Sequence, residues 1–221
     1  MENSKVTLGY WKIRGLVSPI RYLLEFCNVP YQQEFYVQGE APEFSKAEWL
    51  DKKNTLDLDF PNLPYFIDGN LRMTESLAIM RYICKKHNAE LLGKTDFDYA
   101  HVEMLAGILR EMLFSIIGTH CFGTGNKDLL LEQANAALVK MVSYLGNKKF
   151  LVGDYLTYVD FLFYDFLEMI AKVSEGRIYI EFPSLKAYKE NLEKLEKMAE
   201  HLKSDRYIQG PFINSNSKIF I

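Results

Sequence analysis

Apolar and polar positions repeat with different periods in the two halves of the chain. Val6-Thr7-Leu8-Gly9-Tyr10 reads as a short strand, and Tyr31 to Tyr36 as a second. Between them, Ile20, Leu23, Leu24 and Cys27 recur at i, i+3, i+4 and i+7, which predicts one apolar helix face. Ser18-Pro19 opens that helix, with Ser18 expected as its cap and Pro19 at the first helical position. Strand, helix, strand implies a parallel pair. Two more short runs, Tyr65-Phe66-Ile67 and Leu71-Arg72-Met73, flank Asp68-Gly69-Asn70, a strong hairpin signal. A helix from about Glu75 to Lys86 completes a small four-stranded mixed sheet unit, expected to span residues 1–86.

From about Asp96 the periodicity is helical only. Helices are expected near 97–122, 128–145, 158–172, 184–192 and 195–203. Thr157-x-x-Asp160 is a variant capping box, flanked by Leu156 and Phe161 as a hydrophobic staple. Residues 87–95 lack strong periodicity and read as a linker, leaving 96–221 as an all-helical second domain.

The loops carry the candidate chemistry. In the insertion from Gln38 to Asn54, Lys46, Trp49 and Lys53 share one face of a short helix. Two readings of Trp49 are open there: an exposed binding residue, or a lid over local core. Pro64 stands at the first position of a strand, where its missing amide is tolerated. A cis bond at that proline would turn the Leu63 backbone outward. Thr74-Glu75-Ser76 then offers free amides and hydroxyls at a helix start, a ready anion site. Outward backbone beside such a helix start describes a site for a small peptide bearing a carboxylate.

Composition narrows the classes. A chain of 221 residues, 48% of them hydrophobic, can bury a sizeable core. The formal charge is −3, which leaves no nucleic-acid footprint. With no apolar run near 18 residues and no N-terminal signal pattern, no membrane association and a cytoplasmic location are expected. Cys27, Cys84 and Cys121 are odd in number and far apart, so they read as small buried hydrophobes, neither a disulfide framework nor metal ligands. His101 and His120 read as surface or core residues. Gly123-Thr124-Gly125 lacks the third glycine and the preceding strand of a dinucleotide fingerprint, so it reads as an interhelical loop.

Taken in order, several motifs resemble the cytosolic glutathione S-transferases, Mu class, over nearly the whole chain. Leu8-Gly9-Tyr10-Trp11-x-Ile13-Arg14-Gly15-Leu16 with Pro19-Ile20-Arg21 is similar to the Mu N-terminus. So are Gly39-Glu40-Ala41-Pro42 with Trp49-Leu50, Leu58-Asp59-Phe60-Pro61-Asn62-Leu63-Pro64-Tyr65, and Ala78-Ile79-Met80-Arg81-Tyr82. Val159-Asp160-Phe161-Leu162 and Ser204-x-Arg206-Tyr207 extend the likeness into the second half. The resemblance implies an α/β plus all-α fold: an N-terminal thioredoxin-like domain and a C-terminal helical bundle.

It also implies roles. Tyr10 is similar to the catalytic tyrosine that hydrogen-bonds the glutathione sulfur. Trp11, Leu16, Lys46, Trp49, Lys53, Asn62, Leu63, Glu75 and Ser76 stand where the family holds the tripeptide. Leu63 would pair its backbone with the cysteinyl part, Ser76 would hold the γ-glutamyl carboxylate, and Trp49 and Lys53 would reach the glycine carboxylate. Ile13, Leu16, Met112, Thr119 and Ile213 are expected to wall the electrophile pocket. Phe60 resembles the Mu dimer key, against the alternative of an intrachain core residue, and Arg81 is a second dimer contact. Reduced glutathione is implied as co-substrate with no metal or other cofactor, and apolar electrophiles and a second copy of the chain as partners.

The chain departs from the Mu pattern at Glu75, where the class has glutamine. The aspartate that a Mu partner subunit offers to the glutathione ammonium is missing around Gly107-Ile108-Leu109-Arg110-Glu111. Glu75 is expected to supply that charge instead. The Mu tyrosine that reaches the electrophile has no counterpart near Gly118-Thr119-His120. The implied chemistry is adequate in size. Moving a thiol pKa from ~8.5 down by about two units takes roughly 2.7 kcal/mol, and one hydrogen bond to a charged acceptor contributes about 1.5–3 kcal/mol. Two rivals share the fold: a non-catalytic ligand-binding or structural protein, and a specialised glutathione-dependent isomerase.

Overall fold

A computed structural model describes residues 6–219. Strands β1 (Val6–Trp11), β2 (Tyr31–Tyr36), β3 (Tyr65–Asp68) and β4 (Leu71–Thr74) form one mixed sheet in the order β2-β1-β3-β4. β1 runs parallel to β2, with Val6 beside Tyr31, and antiparallel to β3. The β3–β4 hairpin turns at Asp68-Gly69-Asn70, where Gly69 has φ +62°. Asp68 then accepts the Tyr82 hydroxyl at 2.9 Å and the Lys86 ammonium, tying the hairpin to the helix that follows.

That helix is α3 (Ser76–His87); α1 (Ser18–Phe26) and the short α2 (Ala47–Lys53) precede it. Ser18 does not cap α1. A 3-10 turn at Gly15–Val17 runs straight into the helix, so Ser18 already has helical backbone and Val17 stands at the cap. The expected linker contains a further 3-10 turn, Ala89–Leu92.

The second half is helical: α4 (Asp96–Met112), α5 (Lys127–Leu145), α6 (Tyr158–Val173), α7 (Ile178–Glu181), α8 (Pro183–Glu193) and α9 (Glu196–Leu202). Two features differ from the periodicity. The expected helix 97–122 is α-helical only to Met112 and continues as a π-helical stretch over Leu113–Thr124, and α7 has no counterpart among the expected helices. The capping box at α6 is present. Asp160 accepts the Thr157 amide at 2.8 Å and its hydroxyl at 2.9 Å. The same carboxylate accepts the Leu151 amide and the Tyr188 hydroxyl, each at 2.8 Å, so a buried charge is fully bonded.

The two halves meet on α1 and α6. Phe26 packs on Phe161 with centroids 5.7 Å apart. Beside them lies a buried polar knot. Arg14 donates to Asp165 at 2.6 and 3.2 Å, to the Tyr22 hydroxyl at 2.8 Å and to the Tyr207 hydroxyl at 3.2 Å. Its guanidinium also lies 3.9 Å from the Phe212 ring centroid. Burial opposes that charge, but Asp165, Tyr22 and Tyr207 outweigh it, and the Arg14 pKa lies above its usual value.

Cys84 and Cys121 are fully buried and Cys27 is half-buried; all three are free. Burial pushes the Cys27 and Cys121 thiols up to about 11, so they are inert at neutral pH. His120 is buried between Thr124 and Gln133, with ring nitrogens 2.8 and 3.1 Å from their side-chain oxygens, and serves packing. Among the described residues no helix is long and apolar enough to cross a membrane.

Candidate functional site

Tyr10 lies near the end of β1, and its ring points into the cleft between the sheet and the helices. The Leu16 amide donates to its hydroxyl at 3.2 Å. That bond needs the tight turn at Gly15, which has φ +45°. A Cβ on Gly15 would stand 2.6 Å from the Tyr10 ring and 2.7 Å from its hydroxyl oxygen, so the turn is closed to any side chain. The turn is pinned from behind: the Arg14 and Gly15 amides donate to the Pro211 and Phe212 carbonyls, each at 2.8 Å. Burial raises the Tyr10 pKa, so the hydroxyl keeps its proton and is a donor.

The residues expected to hold the tripeptide form an arc along one end of the sheet, where β1 ends, β3 begins and β4 ends. Trp11 is half-buried, edge-on to Tyr36 at 6.4 Å. Trp49 is buried, not exposed: it stacks on Tyr65 at 6.1 Å and 19°, and meets Tyr36 edge-on at 5.3 Å. The lid reading describes its ring. Lys46 precedes α2 and is exposed; Lys53 ends it and is half-buried. Neither pairs with a carboxylate among the described residues. The Leu63–Pro64 bond is cis, and the Leu63 amide donates to the Asn62 side-chain oxygen at 2.9 Å.

Glu75 has φ +72° immediately before α3, and Ser76 is the first helical residue. The Glu75 carboxylate accepts from Arg110 on α4 at 3.2 Å, an ion pair that the sequence reading did not anticipate. Both side chains are about half exposed.

An apolar cavity opens beside Tyr10. Ile13, Leu16 and Ile213 line it, together with Trp11, Phe114 and Gly118. Met112 and Thr119 do not. Met112 faces a groove between α4 and α5, beside Ile108, Gln133 and Met141, and Thr119 is exposed. The facing row along α4 and its π continuation is Leu109, Arg110, Leu113, Phe114, Ile117 and Gly118, at steps of four, and Met112 and Thr119 stand off that row. Gly118 leaves room in the wall, since a Cβ there would meet nothing closer than 3.9 Å.

Of the two residues expected at a subunit contact, Arg81 is engaged within the chain. It pairs bidentately with Glu103 on α4 at 2.9 and 2.5 Å. Phe60 is 81% exposed, which removes the core reading. Its backbone is held by the Thr74 hydroxyl, which donates to the Phe60 carbonyl at 3.1 Å.

Comparison with known proteins agrees with this architecture. The glutathione S-transferase N-terminal domain matches residues 6–85, and the glutathione S-transferase C-terminal domain matches residues 123–205. Glutathione S-transferase Mu 5 of Mus musculus is 40% identical over 221 residues, 99% of this chain and 97% of that protein. Glutathione S-transferase Mu 3 of Homo sapiens is 39% identical, over 96% of this chain and 93% of that one. Among solved structures, that of the glutathione S-transferase Blo t 8 superposes with a TM-score of 0.85 at 28% identity, covering 96% of this chain and 99% of that one. The chain therefore belongs to the glutathione S-transferase family, and it is a Mu-like glutathione S-transferase.

Proposed function

We propose that the protein activates reduced glutathione as its thiolate at Tyr10 and adds it to apolar electrophiles held in the adjoining cavity. The observation that carries this reading is the Tyr10 hydroxyl. It accepts the Leu16 amide, retains its own proton through burial, and faces an apolar cavity. A neutral hydroxyl so oriented donates to a sulfur anion, and one such bond is worth about 1.5–3 kcal/mol. That matches the roughly 2.7 kcal/mol needed to bring a thiol pKa from ~8.5 to near 6.5. The thiolate then attacks an electrophilic carbon and a C–S bond forms; in substitution the broken bond's electron pair departs with the leaving group, and in addition the π pair moves to the adjacent carbon, which takes a proton from solvent.

The tripeptide lies along the arc in this reading. The Leu63 backbone pairs with the cysteinyl part after the Asn62 side chain releases its amide. Ser76 receives the γ-glutamyl carboxylate at the start of α3, where backbone amides are unpaired. Glu75 takes the ammonium in exchange for Arg110. Lys46, Lys53 and the indole edges of Trp11 and Trp49 reach the glycine end. The active assembly is a homodimer in which Phe60 enters the partner's α4–α5 groove. Its exposure in the single chain leaves the ring available for that role. The protein acts in the cytoplasm.

Calorimetric titration with glutathione, paired with conjugation assays on a panel of chloronitroarenes, enones and epoxides, tests the reading. Tight glutathione binding with turnover of at least one class is expected. Glutathione binding without any turnover would favour a ligand-binding role and overturn the catalytic assignment.

A further inference from the structure

On the π-helical stretch Leu113–Thr124, Phe114, Gly118 and Phe122 follow one another at steps of four, and all three line the cavity beside Tyr10. The two rings wall that cavity yet remain about half exposed, so part of each is open to a ligand. Gly118 leaves a gap between them. A Cβ there would meet only the Leu113 carbonyl oxygen and the Phe114 ring, each at 3.9 Å. The backbone does not call for glycine at this position, since Gly118 is not among the residues with positive φ. A glycine inside a helix is less favourable than an alanine, so what Gly118 supplies here is space. The cavity holds about 200 Å³, and among the described residues that line it there is no carboxylate, lysine, arginine or histidine.

An uncharged cavity with a gap flanked by two aromatic rings fits a flat apolar group, which sets its face or edge against such rings. We propose that Gly118 is a specificity-determining residue, and that the favoured electrophiles are extended aromatic compounds whose second ring fills the space between Phe114 and Phe122. The inference rests on the reading of this cleft as a glutathione and electrophile site, and it deepens that reading. The reacting carbon lies at the Tyr10 end, and the gap receives a part of the molecule remote from the new C–S bond. A remote ring is held equally in the ground state and the transition state, so it lowers KM and leaves kcat nearly constant. Gly118 thereby sets which electrophile is bound and takes no part in the bond-forming step.

The test uses two methyl enones, one bearing a phenyl ring and one a naphthyl ring, each rate divided by the uncatalysed rate with glutathione in buffer. The wild-type protein is expected to favour the naphthyl compound about five- to tenfold in kcat/KM, the range for burying the apolar surface of the extra ring, mainly through KM. Gly118→Val fills the gap and should bring the ratio to about one. Gly118→Ala, whose Cβ makes only ordinary contacts, should give an intermediate ratio. Should Gly118→Val fail to bind glutathione in calorimetry, the same ratio in Gly118→Ala decides. Conjugation of both compounds by the wild type with no preference would overturn the inference and leave the glutathione reading intact. A preference that survives undiminished in the Gly118 variants would also overturn it and seat the second ring elsewhere, against Ile13 and Ile213. A wild-type protein that neither binds glutathione nor conjugates either compound would overturn the underlying reading, and this inference with it.

Discussion

The Leu16 amide donates to the Tyr10 hydroxyl at 3.2 Å, so the tyrosine oxygen is held from one side while its proton stays free for a second partner. Tyr10→Phe keeps the ring and removes both bonds. Glutathione binding should be retained, because the tripeptide arc is untouched. Conjugation at neutral pH should fall by one to two orders of magnitude, about tenfold per 1.4 kcal/mol. The rising limb of the pH–rate profile, which follows ionisation of the bound thiol, should move up. Burial raises the Tyr10 pKa above its ordinary value, so the wild type should show no falling limb from this tyrosine in the neutral range. Ultraviolet titration of the bound thiolate checks the assignment, which fails if the mutant thiol ionises at the wild-type pH.

The Arg14–Asp165 pair joins the two halves through buried charge. Asp165→Asn leaves the guanidinium without its counter-charge, which costs about 3–5 kcal/mol. At roughly 2–4 °C per kcal/mol for a chain of this size, the melting temperature should drop by about 6–20 °C. Replacing both residues by apolar ones, Arg14→Met with Asp165→Leu, should be milder, because no orphan charge remains. A thermal scan in which the single variant melts with the wild type would show that this pair does not couple the halves.

For Glu75→Gln, the expected change in glutathione affinity is about 1 kcal/mol weaker. Its partner Arg110 must be displaced and both groups are half exposed, so screening holds the gain near the surface range. Calorimetry that finds unchanged or tighter binding would transfer the ammonium contact to another acid.

Phe60→Ala addresses assembly. Truncating an aromatic that becomes buried costs about 3–5 kcal/mol, and a twofold interface contains the contact twice. The dimer should weaken by several orders of magnitude in sedimentation, with helicity preserved, since Phe60 takes no part in its own chain's core. A variant as dimeric as the wild type would release Phe60 from this role.

Much of the fold was legible wherever one local device dictates structure. Asp68-Gly69 turns the hairpin, the period of Ile20, Leu23 and Leu24 buries α1, and Thr157 with Asp160 starts α6. Legibility failed where tertiary context selects among local options. Ser18 could have capped α1, but the 3-10 turn demanded by Gly15 and the tail begins the helix earlier. Trp49 stayed open between an exposed residue and a lid because its partners, Tyr36 and Tyr65, come from distant strands. Met112 and Thr119 were misplaced because the sequence does not say which of several apolar rows of this helix faces the sheet, and they stand off the cavity-facing one. The Glu75–Arg110 pair is invisible for a similar reason, spanning 35 residues. The family matches divide the site the same way. They cover Tyr10, Leu63 and Ser76, yet Phe114, Gly118 and Ile213 fall outside both matched spans.

The pair of backbone hydrogen bonds from the Arg14–Gly15 turn to Pro211 and Phe212 has a consequence for biosynthesis. Chain elongation supplies β1 to β4 early and α4 to α9 afterwards, and both halves own enough apolar surface to collapse as they emerge. The carbonyls that hold the Tyr10 turn, and the Ile213 wall of the cavity, are translated only after all those helices. A nascent chain therefore carries most of its folded mass before it can steady the turn that holds Tyr10. The finished cleft arrives as a late, discrete event, and a ribosome stalled before Pro211 holds a well-packed protein whose Tyr10 turn is still unpinned.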